Sequence, residues 1–218
     1  MKEYLYGYTQ EEILDKKSRK KVREISDKPA LHGQLNLLMA RLERFEEDIE
    51  QLKSLILTCG EPFMEQIQIL TSMKGISVFT AITIIADVID VGSFPNAKSF
   101  TSYLRSAPRV AKSNTTTSVR GTNKMGRKLT ATLLTQSLNH VLSSSLKLRR
   151  WYDRLCEYKK AGLVRTGLRR RVLAEIYQML KKREYHYERD PLKHEAKMIS
   201  YHRFLEKQKK LVDLQKPA

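Results

Sequence analysis

Acidic residues are scarce in this 218-residue chain. The 24 Asp and Glu face 41 Lys and Arg, a formal net charge of +17, which makes an anionic polymer or surface the expected partner. Long apolar runs are missing too. No stretch approaches the roughly 20 apolar residues that a bilayer-spanning helix needs. The opening MKEYLYGYTQEEILDKK has no apolar segment behind its charges, so no secretory signal is read there. The membrane is thereby the poorer anionic candidate and nucleic acid the better one, although charge alone suits a ribosome-associated basic protein equally. Only two cysteines occur, Cys59 and Cys156, neither in a Cys-x-x-Cys pair nor near a histidine at metal-ligand spacing. A disulfide framework is excluded as the organiser of the fold, and a reducing cytoplasm is the simpler setting. Strand-type alternation of useful length is also absent, so the fold is expected to be mainly α-helical.

What is present is strongly periodic. After a polar arm over residues 1–30, with a basic cluster from Lys16 to Arg23, Leu31, Leu35, Leu38, Leu42, Phe45, Ile49, Leu52 and Ile56 recur at alternating spacings of four and three. This unbroken heptad seam predicts a long coiled-coil helix over 31–59. It implies a homodimer or higher oligomer joined through residues 31–56; a hairpin folding back on its own chain is the alternative. Gly60-Glu61-Pro62 ends that helix. A compact helical domain is expected over 60–185, with helices near 63–70, 78–89, 96–104, 129–142, 148–160 and 168–180, and Gly162 and Gly167 flanking a connection before the last. Residues 186–218 read as a basic helical or disordered tail.

Three features bear on chemistry. Lys74-Gly75-Ile76-Ser77 reads as the tight turn of a helix-hairpin-helix: Gly75 supplies a positive φ and Ser77 an N-cap. Such a turn points backbone N–H groups at a phosphate, and an ordinary helix corner fits these residues as well. The stretch from Arg109 to Lys128, RVAKSNTTTSVRGTNKMGRK, is rich in Ser, Thr and Gly and holds Arg109, Lys112, Arg120, Lys124, Arg127 and Lys128 with no acid. It predicts a basic loop, with a short hairpin through Thr115–Val119, suited to a phosphate backbone. A serine there, such as Ser113, gains nucleophilic character only if its proton is removed or charge on phosphorus is stabilised. On composition alone a solvated linker is the better reading, since Ser106, Ser118 and several threonines are equally available. A second basic surface spans Lys147 to Arg183, with Trp151, Tyr152 and Tyr158 as packing or base-stacking aromatics.

The order LTSMKGISVFTAITIIADVIDVGSFPNAKSFTSYLRSAPR, a serine in the loop that follows, GTNKMGRKLTATLLTQS and RRRVLAEIYQMLKK resembles the C-terminal domain of the insertion-sequence 110/116/902 transposases over about residues 32–185. The resemblance implies a DNA recombinase whose serine attacks a DNA phosphate and becomes joined to it. By position that serine is Ser113, Pro108-Arg109 corresponds to the family's Pro-Arg, and Lys124-Met125-Gly126-Arg127 to its Lys-x-Gly-Asn. It also implies DNA as partner, a structured guide RNA, and a prokaryotic, nucleoid-associated setting. Asn114 and Arg127 stand where the family has glycine and asparagine. The family's Mg²⁺ is held by an acidic RuvC-like domain, and the 30 residues before the seam are too few for one. No cofactor is therefore expected on this chain itself. The readings that follow are a transposase fragment with Ser113 as nucleophile and, as the alternative, a non-catalytic DNA- or RNA-binding accessory or inhibitor of a full-length transposase.

Overall fold

The structure, a computed structural model, describes residues 15, 29–106, 108–112, 117–122 and 126–214, with the side chains of 15, 32–106 and 126–211. The chain divides into two units, Met1–Leu55 and Ile56–Ala218. The expected arm and its Lys16–Arg23 cluster lie outside the described residues, apart from residues 15, 29 and 30.

Helix α1 (Pro29–Cys59) occupies the span that the heptad predicts. Much of its apolar stripe faces solvent: Leu38 is 43%, Phe45 64%, Ile49 49% and Leu52 58% exposed.

The second unit continues with α2 (Met64–Thr71), α3 (Val78–Val88), α4 (Ala97–Tyr103), β1 (Pro108–Lys112), β2 (Thr117–Thr122), α5 (Lys128–Ser144), α6 (Leu146–Cys156), α7 (Ala161–Lys182) and α8 (Pro191–Leu214). The architecture is mainly α with one two-stranded hairpin. Polar caps set the helix starts. Ser77 Oγ accepts from Thr80 N at 3.1 Å, Asn96 Oδ1 from Ser99 N at 3.0 Å, and Ser145 Oγ from Leu148 N at 3.4 Å, each satisfying an amide that a helix start leaves unpaired. α3, VFTAITIIADV, is apolar nearly all round and is buried accordingly. α7 touches α2, α4, α5 and α6 and carries Leu168, Val172, Leu173 and Ile176 into a core shared with Ile67, Ile84, Phe100, Leu134 and Leu138.

One expectation for the helices changes. Gly162 and Gly167 do not flank a connection, because both lie inside α7. The stripe Leu168–Val172–Ile176 extends back one turn to buried Val164, and that anchor outweighs a cost of about 1 kcal/mol per helical glycine. At Gly167 a Cβ would stand 3.6 Å from Trp151, an ordinary contact, so neither space nor conformation demands glycine there. Beyond Tyr185, the polar tail forms the single helix α8, which sends Met198, Tyr201 and Leu205 into the core.

α8 buttresses the corner between α2 and α3. Lys197 Nζ donates to Thr71 O at 3.0 Å and Ile76 O at 2.8 Å, and burial lowers its pKa. His194 Nε2 lies 3.0 Å from Gln68 O and 3.2 Å from Thr71 Oγ1. Burial, with Arg189 adding, holds the His194 pKa below its ordinary value near 6.5. As pH falls through 6.5 the unfolded chain takes up a proton that the folded chain resists, so stability declines from there down through the depressed folded pKa. We expect His194→Gln to shrink the difference in denaturant-measured stability between about pH 7.5 and about pH 5.5. An undiminished difference would show that another group carries it.

Candidate functional site

The hairpin is set on the helical unit by contacts at both of its feet. Its strands are antiparallel and pair Arg109 with Arg120, Val110 with Val119, Ala111 with Ser118 and Lys112 with Thr117; Pro108 pairs with Thr122 across an irregularity. The hairpin is thus longer than the Thr115–Val119 segment that its β-formers mark, because its strands begin at Pro108 and run to Thr122.

The chain enters the hairpin through Arg105, at φ +56°, and buried Ser106. Both are held from α7 by Arg169. Its Nη2 donates to Arg105 O at 3.0 Å, its Nε to Ser106 Oγ at 2.9 Å, and its Nη1 to Thr135 Oγ1 at 2.9 Å and Ala131 O at 3.4 Å. One planar fork therefore ties the entry of the hairpin to the helix that follows its exit. Ser106 Oγ also donates to Leu104 O, so this serine has a structural place and is removed from the alternatives to Ser113.

The exit is locked separately. Gly126 takes φ +109°, and a Cβ there would sit 2.4 Å from Tyr103 O, so both conformation and space require glycine. Arg127 N donates to Tyr103 O at 3.4 Å, and its Nε donates to Tyr103 Oη at 3.1 Å. Asp87 Oδ1 stands 3.7 Å from that Nε, while Thr130 Oγ1 donates to Asp87 Oδ2 at 2.6 Å. Asp87, the one charged residue of α3, thereby holds the start of α5 against α3.

Electrostatically, positive charge dominates these feet. Burial and neighbouring Arg105 lower the Arg169 pKa, and its four acceptors are all neutral. Asp87 is engaged by Arg127 and Thr130. Among the described residues no three His, Cys, Asp or Glu side chains come together, and this donor set does not fit a Mg²⁺ centre.

Ser113 and Lys124 lie outside the described residues. Arg109, Lys112 and Arg120 are placed on the two strands by their backbone, with Arg127 and Lys128 exposed at the exit. Lys74, Gly75 and Ser77 stand elsewhere. Gly75 takes φ +92°, and its would-be Cβ meets Val141 and His140, the latter twelve residues beyond Lys128, or ~18 Å along α5 at the helical rise. The structure thus does not bring this corner together with the hairpin. Arg169, Tyr103, Asp87 and Thr130 escape the sequence reading. A lone carboxylate inside apolar VFTAITIIADV was the available signal for Asp87, whereas Arg169 opens an Arg-Arg-Arg run that reads as solvated surface.

Arg169→Ala removes the donor shared by Arg105 O, Ser106 Oγ, Ala131 O and Thr135 Oγ1. We expect a loss of about 2 kcal/mol or more, read as a melting temperature lower by roughly 4–8 °C, with Arg169→Lys recovering only part.

With the hairpin and its supports in view, residues 67–153 match the family model described as Transposase IS116/IS110/IS902 family. No protein of curated function matches the chain. No helix among the described residues is long and apolar enough to cross a membrane.

Proposed function

We propose, from the match of residues 67–153 to the model of an insertion-sequence transposase family, that the chain is a DNA recombinase fragment in which the hairpin offers Ser113 to a DNA phosphodiester. The observation that carries this reading is the pairing of Arg109 opposite Arg120 on a hairpin anchored at both feet. Like charges directly opposed in a ladder cost roughly 0.2–1 kcal/mol, and a bound phosphate would offset that cost. Ser113 directly follows β1, next to Lys112. Lys112, Lys124, Arg127 and Lys128 add positive charge on the same connection, and Lys74, Gly75 and Ser77 form a second backbone-phosphate contact at the α2–α3 corner.

In the reaction Ser113 Oγ forms a bond to phosphorus as a phosphorus–deoxyribose oxygen bond breaks. The serine proton is lost and the departing oxygen takes one up. Guanidinium and ammonium groups carried by the same segment would stabilise the negative charge on the phosphoryl oxygens. Reversal of the step onto another strand's hydroxyl rejoins DNA.

Incubating the full chain with cleavable element-end duplex should trap a protein–DNA adduct that survives denaturation and disappears in Ser113→Ala. An adduct that persists in Ser113→Ala would remove this serine from the role. No adduct from either protein, together with salt-sensitive binding, would favour the accessory-module alternative.

The seam of α1 supplies the assembly. With Leu35, Leu42 and Ile49 at one core position and Leu38, Phe45 and Leu52 at the other, the flanks of a parallel pair set Arg41 against the partner copy's Glu46 and Asp48 against its Lys53. Both pairings are attractive, and a second copy would cover the exposed seam. Ile49→Glu should shift the chain from dimer to monomer in sedimentation experiments while the melting of the helical unit is kept; a mass unchanged from a wild-type monomer would dismiss the coil.

A further inference from the structure

A cleft of about 540 Å³ opens between α5 and α7, lined by Thr135, Gln136, Asn139, Arg165, Thr166 and Arg169. We infer that this cleft is a phosphate-binding site, separate from the hairpin, that takes a backbone phosphate of a nucleic acid strand.

Three independent features converge there. First, both of its cations lack an acidic counterpart. No carboxylate lines the cleft, and among the described residues none stands within ion-pair distance of Arg165 or Arg169. Elsewhere, Arg171 of α7 has Glu175 at 3.9 Å and Arg183, just beyond the helix, has Glu65 at 3.9 Å. A half-buried guanidinium satisfied only by neutral acceptors keeps its full charge, and an anion at the cleft mouth offsets it.

Second, donors remain unused. Arg165 Nη2 donates to Asn139 Oδ1 at 3.0 Å. Because that amide accepts through oxygen, its Nδ2 group is left as a donor on a residue that lines the cleft. The other N–H groups of Arg165 and the amide of Gln136 have no protein partner among the described residues. The hydroxyls, by contrast, are taken: Thr135 donates to Ala131 O and Thr166 to Gly162 O. The donor set is thus one guanidinium fork and two primary amides, a geometry that matches the oxygens of a phosphodiester.

Third, Gly162 places the first turn of 22-residue α7 at the same wall. That turn has no acidic residue and no side-chain cap, so the positive end of the helix dipole is uncompensated toward the cleft. Arg169 reaches from this wall to Arg105 and Ser106 at the hairpin entry. A strand lying across the hairpin would therefore run on into the cleft. The nucleic acid half of this inference rests on the recombinase reading; the anion site itself does not.

The test uses the full chain and two probes. Inorganic pyrophosphate, followed by amide NMR, should shift the Gly162, Thr166 and Asn139 resonances to saturation in the wild type, and Arg165→Gln should abolish the effect without moving the melting temperature. A labelled duplex, titrated over a range of salt, should bind Arg165→Gln about three- to tenfold more weakly than wild type, with the salt slope reduced by about one. The control Lys181→Gln, whose cation lies over Tyr177, should bind as wild type does. Pyrophosphate shifts spread evenly over the basic surface, or equal duplex affinity of Arg165→Gln and Lys181→Gln, would overturn the site. Pyrophosphate saturation in the cleft with no duplex affinity in any protein would uphold the anion site and sink the recombinase reading beneath it.

Discussion

A guanidinium held half out of water by neutral groups is a costly feature, and Arg169 is tolerated because four acceptors converge on it. Those acceptors come from two separate segments: Arg105 O and Ser106 Oγ before the hairpin, Ala131 O and Thr135 Oγ1 after it. A single side chain on α7 thereby fixes the spacing between the feet of the hairpin. The fork is what makes this work, since an ammonium offers one point of charge and cannot span acceptors on opposite sides of a plane. The hairpin cannot supply such a constraint itself, because an isolated two-stranded ribbon is marginally stable in water.

The remaining supports divide the labour by chemistry. Apolar burial positions the helices: Phe100 of α4, Leu134 and Leu138 of α5, and Leu168 and Ile176 of α7 are fully enclosed. Directional polar contacts then position what the core cannot reach. Asp87 locks Thr130 and faces Arg127, Gly126 allows the chain to pass Tyr103 O, and Lys197 closes the carbonyls of the α2–α3 corner. Non-directional packing has no preference for which way a ribbon points, whereas a bonded fork does.

This arrangement changes how the positive charge is understood. Arg169, Arg127 and Lys197 are internal donors with assigned acceptors, so they shape the site before they attract anything to it. Among the described side chains, Arg165 in the cleft between α5 and α7 has no acidic residue beside it. Selective pairing of charge inside the fold converts a uniformly basic composition into a directed field.

Local chemistry alone determined the helical class, the long heptad helix, the breaks at Gly60-Glu61-Pro62 and at Ser77, and the basic, hydroxyl-rich character of the segment from Arg109 to Lys128. Periodicity and capping act over a few residues and are written in consecutive positions. The extent of α7 through two glycines, the inclusion of α8 in the core, the separation of the Gly75 corner from the hairpin, and the structural place of Ser106 were decided only in three dimensions. Three of these depend on a partner far along the chain: Gln68 and Thr71 for α8, Val141 for Gly75, and Arg169 for Ser106; the glycines of α7 are carried by the burial of Val164 between them. Contacts at that separation leave no periodic trace, because the residues that make them are chosen by where the folded chain brings them and not by their neighbours in line.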